Sequence, residues 1–330
     1  MSQTNLPALS LQDFMEAGVH YGHKTMRWHP KMAPYIYGSR NNVHIIDLRK
    51  TLPMFQKALE AIYQVVINNG RVLFVGTKMQ ASTIVSQTAE RCGQYYVNHR
   101  WLGGMLTNWE TVSKSIKTLI ELEDKIQSQQ KIEQYLEENK DQDAAEVPGM
   151  VRYTKKEMLD LTRKYDNLNR SLGGIRKMGG MPDIVVVFDV IKDSIAIKEA
   201  QKLGVPIVAI VDSNANPEGI DFPIPGNDDA TRALELYGHL FAEAVLAGIQ
   251  KSIAASGVDL GESTDVEKLS GKSKASAAKK KDAKPAKAEE KEAVSAEAGK
   301  SEEKKPAAKK ATTAKKAEAE VNKTEEAQGE

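Results

Sequence analysis

Cysteine is almost missing from the chain: Cys92 stands alone among 330 residues. No intramolecular disulfide can form, which suits a reducing compartment. Long apolar runs are missing as well. The most hydrophobic stretches, "IVVVF" at 184–188 and "IVAIV" at 207–211, fall far short of the ~20 residues a membrane-spanning helix needs. The opening "MSQTNLPALSLQDF" has no charged segment leading into an apolar one, so it does not read as a secretion signal. The expectation is a soluble, cytoplasmic protein. A dominant charge sign is missing too, since 46 Lys+Arg against 45 Asp+Glu leave a net +1. The distribution is uneven, however. Residues 1–104 hold 11 basic and 5 acidic side chains, 105–270 hold 19 and 28, and 271–330 hold 16 and 12. A basic front, an acidic middle and a basic tail suggest an anion-binding face on part of the molecule only.

Catalytic text is equally sparse. "FVGTK" follows an apolar run, but one Gly before Thr77 and Lys78 does not make the G-x-x-x-x-G-K-[ST] cradle for phosphates. No G-x-G-x-x-G follows a strand, and no G-x-S-x-G elbow occurs. The adjacent acids of "GNDDA" (226–230) read as ordinary partners of a helix start. No enzyme activity, cofactor or small-molecule substrate is expected. A nucleotide-binding alternative would use Lys78 and Asp212, at strand ends where α/β sheets hold ligands.

From about residue 52 to 260 the text alternates helix and strand. "PMFQKALEAIYQVVINNG" places Phe55, Leu59, Ile62 and Val66 at helical spacing and stops at Gly70. "RVLFVGTK", "QYYVN", "PDIVVVFD" and "VPIVAIVDSN" read as strands; "MQASTIVSQTAERCG", "DSIAIKEAQKLG" and "DDATRALELYGHLFAEAVLAGIQ" read as helices. Continuous β-branched runs without alternation mark strands buried on both faces. The fold class is therefore α/β, a parallel sheet between helical layers. Residues 105–175 interrupt the pattern. Trp109, Val112, Ile116 and Leu119 recur at 3-4-3 spacing, and Met158, Leu161, Tyr165, Leu168 and Leu172 at 3-4-3-4. Thr154 and Glu157 form a capping box at the second helix start. These predict an inserted antiparallel coiled-coil hairpin, with "NKDQDAAEVPGMVRY" as its connection and "GGIRKMGGMPD" as its return. After Leu269 there is no Leu, Ile, Met, Phe, Tyr or Trp, so the Ala/Lys/Glu-rich tail is expected to be disordered. The domain reading is 1–50, an N-terminal helix and basic arm; 51–104 and 176–257, the two parts of the sheet domain; 105–175, the hairpin; and 258–330, the tail.

What is plentiful is a mixture of cations and rings in three short segments that together hold all three tryptophans. "GVHYGHKTMRWHPK" supplies His20, Tyr21, His23, Lys24, Arg27, Trp28, His29 and Lys31. "YIYGSRNNVHIIDLRK" supplies Arg40, Asn41, Asn42, Arg49 and Lys50, and "NHRWLGGMLTNW" supplies His99, Arg100, Trp101, Gly103, Gly104, Asn108 and Trp109. Cations pair with phosphates, rings stack on bases, and glycines let backbone approach closely. With Lys78, these are the candidate RNA-binding residues, reading the shape of folded RNA more than its sequence. Two alternatives remain open. Trp101, Tyr35 and Tyr37 could serve packing, and His20, His23 and His29 could be locally bonded or hold zinc, although H-x2-H-x5-H matches no common zinc spacing. No dedicated metal site is expected.

The segments "AGVHYGHKTMRWHPKMAPYIYGSRNNVHIIDLRKT", "LFVGTK", "NHRWLGGMLTNW", "SLGGI", "MGGMPD" and "GVPIVAIVDSNANPEGIDFPIPGNDDA" closely resemble, in the same order, the bacterial small-subunit ribosomal protein two family. The resemblance covers roughly residues 8–255. It implies a three-layer flavodoxin-like sheet domain with a protruding coiled-coil hairpin. It implies a structural role on the back of the small subunit, between head and body. The implied partners are small-subunit rRNA and other small-subunit proteins, especially ribosomal protein one, which captures mRNA; no catalysis is implied. The hairpin connection, about 127–153, looks longer than in the family, and the tail from about 258 has no clear counterpart.

Overall fold

In a computed structural model of the protein, residues 6–138 and 153–255 are described. The tail expected at 258–330 and most of the expected hairpin connection lie outside them. The central element is a five-stranded parallel sheet: β4 (Val72–Val75), β5 (Tyr95–Val97), β6 (Ile184–Val187), β7 (Ile207–Val211) and β8 (Phe222–Pro225). Its order is β5-β4-β6-β7-β8. Chain order therefore reverses at β4, the doubly wound arrangement of flavodoxin-like sheets. Every residue of β4, β6 and β7 is buried, as their unbroken apolar text requires.

Alternate strand residues feed two cores. Val72, Phe74, Ile184, Val186, Val208 and Ile210 face α2 (Leu48–Ile67), α3 (Met79–Arg91) and α7 (Thr231–Ala255). There Phe55 stacks on Phe241 at 5.3 Å and meets Phe14 edge-on at 5.4 Å. Leu73, Val75, Val185, Val187, Ile207 and Ala209 face α6 (Ser194–Leu203) and the base of the hairpin. The result is the expected three layers.

The hairpin consists of α4 (Trp109–Glu138) and α5 (Lys155–Leu172). Val112, Ile116 and Leu119 of α4 and Leu172 of α5 are buried in the second core, with Tyr165 and Leu168 packed against it. Thr154 and Glu157 form the expected capping box. The return path crosses the β5 edge at Gly174. A Cβ there would lie 2.1 Å from the Tyr96 carbonyl oxygen, so only glycine lets the chain seal that edge.

The N-terminal region departs from a simple arm. After α1 (Leu11–Glu16), β1 (Tyr21–Lys24), β2 (Ile36–Arg40) and β3 (Val43–Ile46) form a small antiparallel sheet in the order β1-β3-β2. Asn41 and Asn42 make its two-residue turn with φ of 52° and 60°. Both central residues of such a turn need positive φ, which Asn tolerates. The boundary read at 50/51 falls inside a helix. Asp47 caps α2 by accepting from Arg49 N at 3.1 Å, so the helix begins at Leu48 and runs through Pro53.

Candidate functional site

Four close, partly buried contacts dock the small sheet onto the C-terminal ends of the large one. Gly22 lies against β7's exit, where a Cβ would stand 2.8 Å from Ser213 Oγ. Beside it, His23 N donates to Ser213 Oγ at 2.8 Å. Asn227, just after β8, donates from its side chain to the Gly18 carbonyl (3.1 Å) and from its backbone to the Val19 carbonyl (3.0 Å).

Under this dock lies a polar cluster built from strand ends. His23 Nδ1 is 3.0 Å from Asp212 Oδ2, and His23 Nε2 is 3.4 Å from Asp229 Oδ2. Lys78 Nζ sits 3.3 Å from Asp189, 3.1 Å from Asp228 and 2.6 Å from Asp229. The hydrogen bond to Asp212 holds the His23 imidazole above its ordinary value, against the opposing pull of burial. Burial alone would lower Lys78, but Asp229, Asp228 and Asp189 outweigh it and hold the ammonium firmly charged. Burial, then the charges of Asp212 and Asp189, push Asp228 up to about 7. Burial likewise lifts Asp193 to about 6, although it accepts from Thr77 N and Oγ1.

The chemistry of this cluster is cationic in preference. Three carboxylates around the Lys78 ammonium, with Asp212 beside His23, disfavour a phosphate, so the strand ends where doubly wound sheets hold nucleotides do not offer one a site here. One ligand atom each from His23, Asp212 and Asp228 lies within 4.8 Å of the others, a nitrogen-and-oxygen set that a divalent cation could bridge. His20 and His29 do not join them. His29 Nδ1 instead accepts from Lys31 N as the cap of a short 3-10 turn at Pro30–Tyr35. His20 packs its ring 4.0 Å from that of Tyr21, and burial lowers its pKa.

Several sequence-selected residues are engaged within the protein. Lys78, read as an RNA contact, is paired with three carboxylates. Lys31 pairs with Glu218, and Lys50 Nζ donates to the Pro34 carbonyl. Arg49 forks onto Asp47 at 3.0 and 3.1 Å and lies 5.7 Å from the Tyr37 ring centroid. Trp101 is only 6% exposed. Its Nε1 donates to Glu199 at 3.2 Å. Glu199 also accepts from Gly104 N (2.7 Å), Leu106 N (2.9 Å), Thr107 N (3.2 Å) and Thr107 Oγ1 (3.3 Å). "RWLGGMLT" is thus a nest of donors around an internal carboxylate, and Gly104, at φ 85°, shapes it. Asn108 accepts from Thr111 Oγ1 at 2.9 Å where α4 begins, and Trp109 packs half-buried on the second core. Gly103 is exposed with open space beside its Cα.

The remaining cations converge. Lys24 and Arg40 both register against Val43, on either side of β3. Thr25 N bonds the Asn42 carbonyl at 2.9 Å, bringing the 24–28 turn beside the hairpin end. Lys24, Arg27 and Arg40 are exposed there and make no ion pair among the described residues. Trp28, 42% exposed, lies against His44 with centroids 5.6 Å apart. His99 and Arg100 are also exposed and without ion pairs, at the far end of β5.

Sequence reasoning passed over Asp189 and read Asp228 and Asp229 only as partners of a helix start. The available signal was positional, because "VVFD", "VDSN" and "GNDDA" each put an acid just after a strand of one parallel sheet.

Comparison with known proteins agrees with the resemblance. The family model described as ribosomal protein S2 matches residues 14–248. Small ribosomal subunit protein uS2 of Rickettsia bellii is 53% identical over 258 residues, covering 78% of this chain and 82% of its own. The uS2 protein of Rhodospirillum centenum is 52% identical over 256 residues, 78% of this chain and 91% of its own. That of Acidiphilium cryptum is 53% identical over 256 residues, 78% and 92%. The chain belongs to the ribosomal protein S2 family, structural and non-enzymatic proteins of the small ribosomal subunit.

Proposed function

We propose that the protein binds small-subunit rRNA through the tip of its small antiparallel sheet, within a cytoplasmic, ribosome-bound role. One observation supports this most. Lys24, Arg27 and Arg40 meet at one exposed end without ion pairs among the described residues, next to a half-open Trp28. Lys31, Arg49, Lys50 and Lys78, drawn from the same basic front, are already engaged inside the protein. Unpaired cations beside an accessible ring fit phosphates and an unstacked base. Docking by Gly22, His23 and Asn227 fixes the tip against the rigid sheet, which limits the ordering cost of binding. Recruitment of ribosomal protein one, and contact with other small-subunit proteins, are inferred from the resemblance and from the acidic composition of residues 105–270. No described helix is long and apolar enough to cross a membrane.

The test is a salt titration of rRNA binding by the full chain and by a Lys24→Ala/Arg27→Ala/Arg40→Ala variant. Three lost phosphate contacts should flatten the slope of log affinity against log salt by roughly 2 to 3. Lys31→Ala should leave the slope nearly unchanged. A triple variant with the wild-type slope rejects the tip as the contact.

A further inference from the structure

Two concavities meet at His99, beyond the C-terminal end of β5. One, of ≈ 350 Å³, lies between the sheet edge and the end of α5 and is lined in part by Tyr96, Asn98, Asn169, Arg170 and Arg176. The other, of ≈ 360 Å³, lies toward the start of α6 and carries Arg100, Trp101 and Lys192. The side chains of His99, Arg100, Arg170 and Lys192 make no ion pair among the described residues. Only Arg176 is shared, with Glu123. One carboxylate, Asp193, lines the second cavity beside Lys192, and Glu90 stands beside Tyr96 of the first. Asp193 accepts from Thr77 Oγ1 at 2.7 Å, and Glu90 accepts from the Tyr96 hydroxyl at 3.1 Å. The groove still presents unbalanced positive charge, unlike the carboxylate-rich cluster around Lys78.

We propose that this groove holds a single RNA strand, with His99, Arg100, Arg170 and Lys192 on successive phosphates and Asn98 and Asn169 toward the bases. The proposal rests on the rRNA-binding reading and adds a second contact, separate from the small-sheet tip. Three cations, Arg100, Arg170 and Lys192, with His99 between them, exceed what one isolated anion engages, whereas a strand repeats its phosphates along its length. Each cavity sits near the lower end of the roughly 300–1,000 Å³ range of small-ligand sites, the scale of a nucleotide unit and too narrow for a duplex. Amide side chains beside the cations suit the exposed edges of unpaired bases. Trp101 forms part of the wall, held by Glu199, and keeps the groove rigid.

The test uses the full chain with a labelled oligouridylate and with small-subunit rRNA, from about 50 to about 200 mM salt. An Arg100→Gln/Arg170→Gln variant should bind oligouridylate about tenfold more weakly. Its salt slope should fall by about 1.4, at about 0.7 per lost single-strand phosphate contact. Both arginines are exposed, so its melting temperature should match wild type. His99→Gln/Lys192→Gln, which removes one full cation, is the second variant and should lower the slope by about 0.7, and Arg100→Lys/Arg170→Lys should restore the slope. Wild-type affinity and slope in both glutamine variants overturn the groove. A short RNA duplex that competes as well as oligouridylate overturns the single-strand assignment. If the Lys24/Arg27/Arg40 variant alone loses rRNA affinity, the tip stands and the groove falls; if wild type binds neither RNA, both fall.

Discussion

Replacing Glu199 by alanine removes the acceptor that closes the 101–107 loop. Five donors then lose their partner: three backbone N–H groups, the Trp101 indole N–H and the Thr107 hydroxyl. A buried donor left unsatisfied costs about 1–3 kcal/mol. Thr107 is exposed and Gly104 half-buried, so water can reach part of the nest and the full sum does not apply. A net loss of about 3–5 kcal/mol remains, the scale of severing a buried charge from its partners. At about 2–4 °C per kcal/mol for domains of this size, the melting temperature should drop by roughly 6–20 °C. Glu199→Gln should lose somewhat less, because one oxygen still accepts while the amide NH2 confronts donors.

The pH dependence separates this account from simple loss of packing. Burial alone would raise the Glu199 pKa, but the bonds from Leu106, Gly104, Thr107 and Trp101 outweigh it and hold it below the ordinary glutamate value. A depressed folded pKa means stability that is complete above the unfolded value of about 4.3 and lost as pH falls through the folded value. The gap between wild type and Glu199→Gln should therefore be widest at neutral pH and close below about pH 4. Urea unfolding followed by circular dichroism at several pH values measures it. A loss under about 1 kcal/mol at pH 7, or a gap independent of pH, refutes the reasoning.

Trp101→Phe should cost about 1 kcal/mol through the lost indole bond, yet leave rRNA affinity unchanged, as a filter-binding titration would show. Gly174→Ala forces a Cβ onto the Tyr96 carbonyl and should destabilise by more than about 2 kcal/mol in thermal melts, with β5 amides losing hydrogen-exchange protection. Lys78→Met leaves Asp189, Asp228 and Asp229 without their ammonium and should cost about 3–5 kcal/mol in chemical unfolding. The salt slope of whatever protein still folds should match wild type, because the Lys78 ammonium is already paired.

The sheet was legible because its strands are buried on both faces and their text is continuously apolar, as "IVVV" and "IVAIV" show. The capping box at Thr154 was legible because it needs particular residue types at a fixed offset. The small sheet was harder to read. β1 has four residues, β3 has four, and β2 carries Gly38, so neither shows a clean period of two. β8, "FPIP", contains two prolines and joins only one neighbour, an edge position that tolerates them. Site residues were selected by chemical type, and type does not reveal whether a cation is already paired. Glu199 lies some ninety residues beyond the loop it closes, and Glu218 is nearly two hundred beyond Lys31. No local pattern exposes such long-range partners, so Trp101 and Lys31 looked as available as Trp28 and Arg27.

RNA–protein crosslinking in assembled small subunits, mapped to single residues, tests the central claim most directly. Adducts are expected at Lys24, Arg27, Trp28 and Arg40, with none at Lys78. Adducts concentrated at Lys31, Arg49, Lys78 or Trp101, with the small-sheet tip unlabelled, would contradict it.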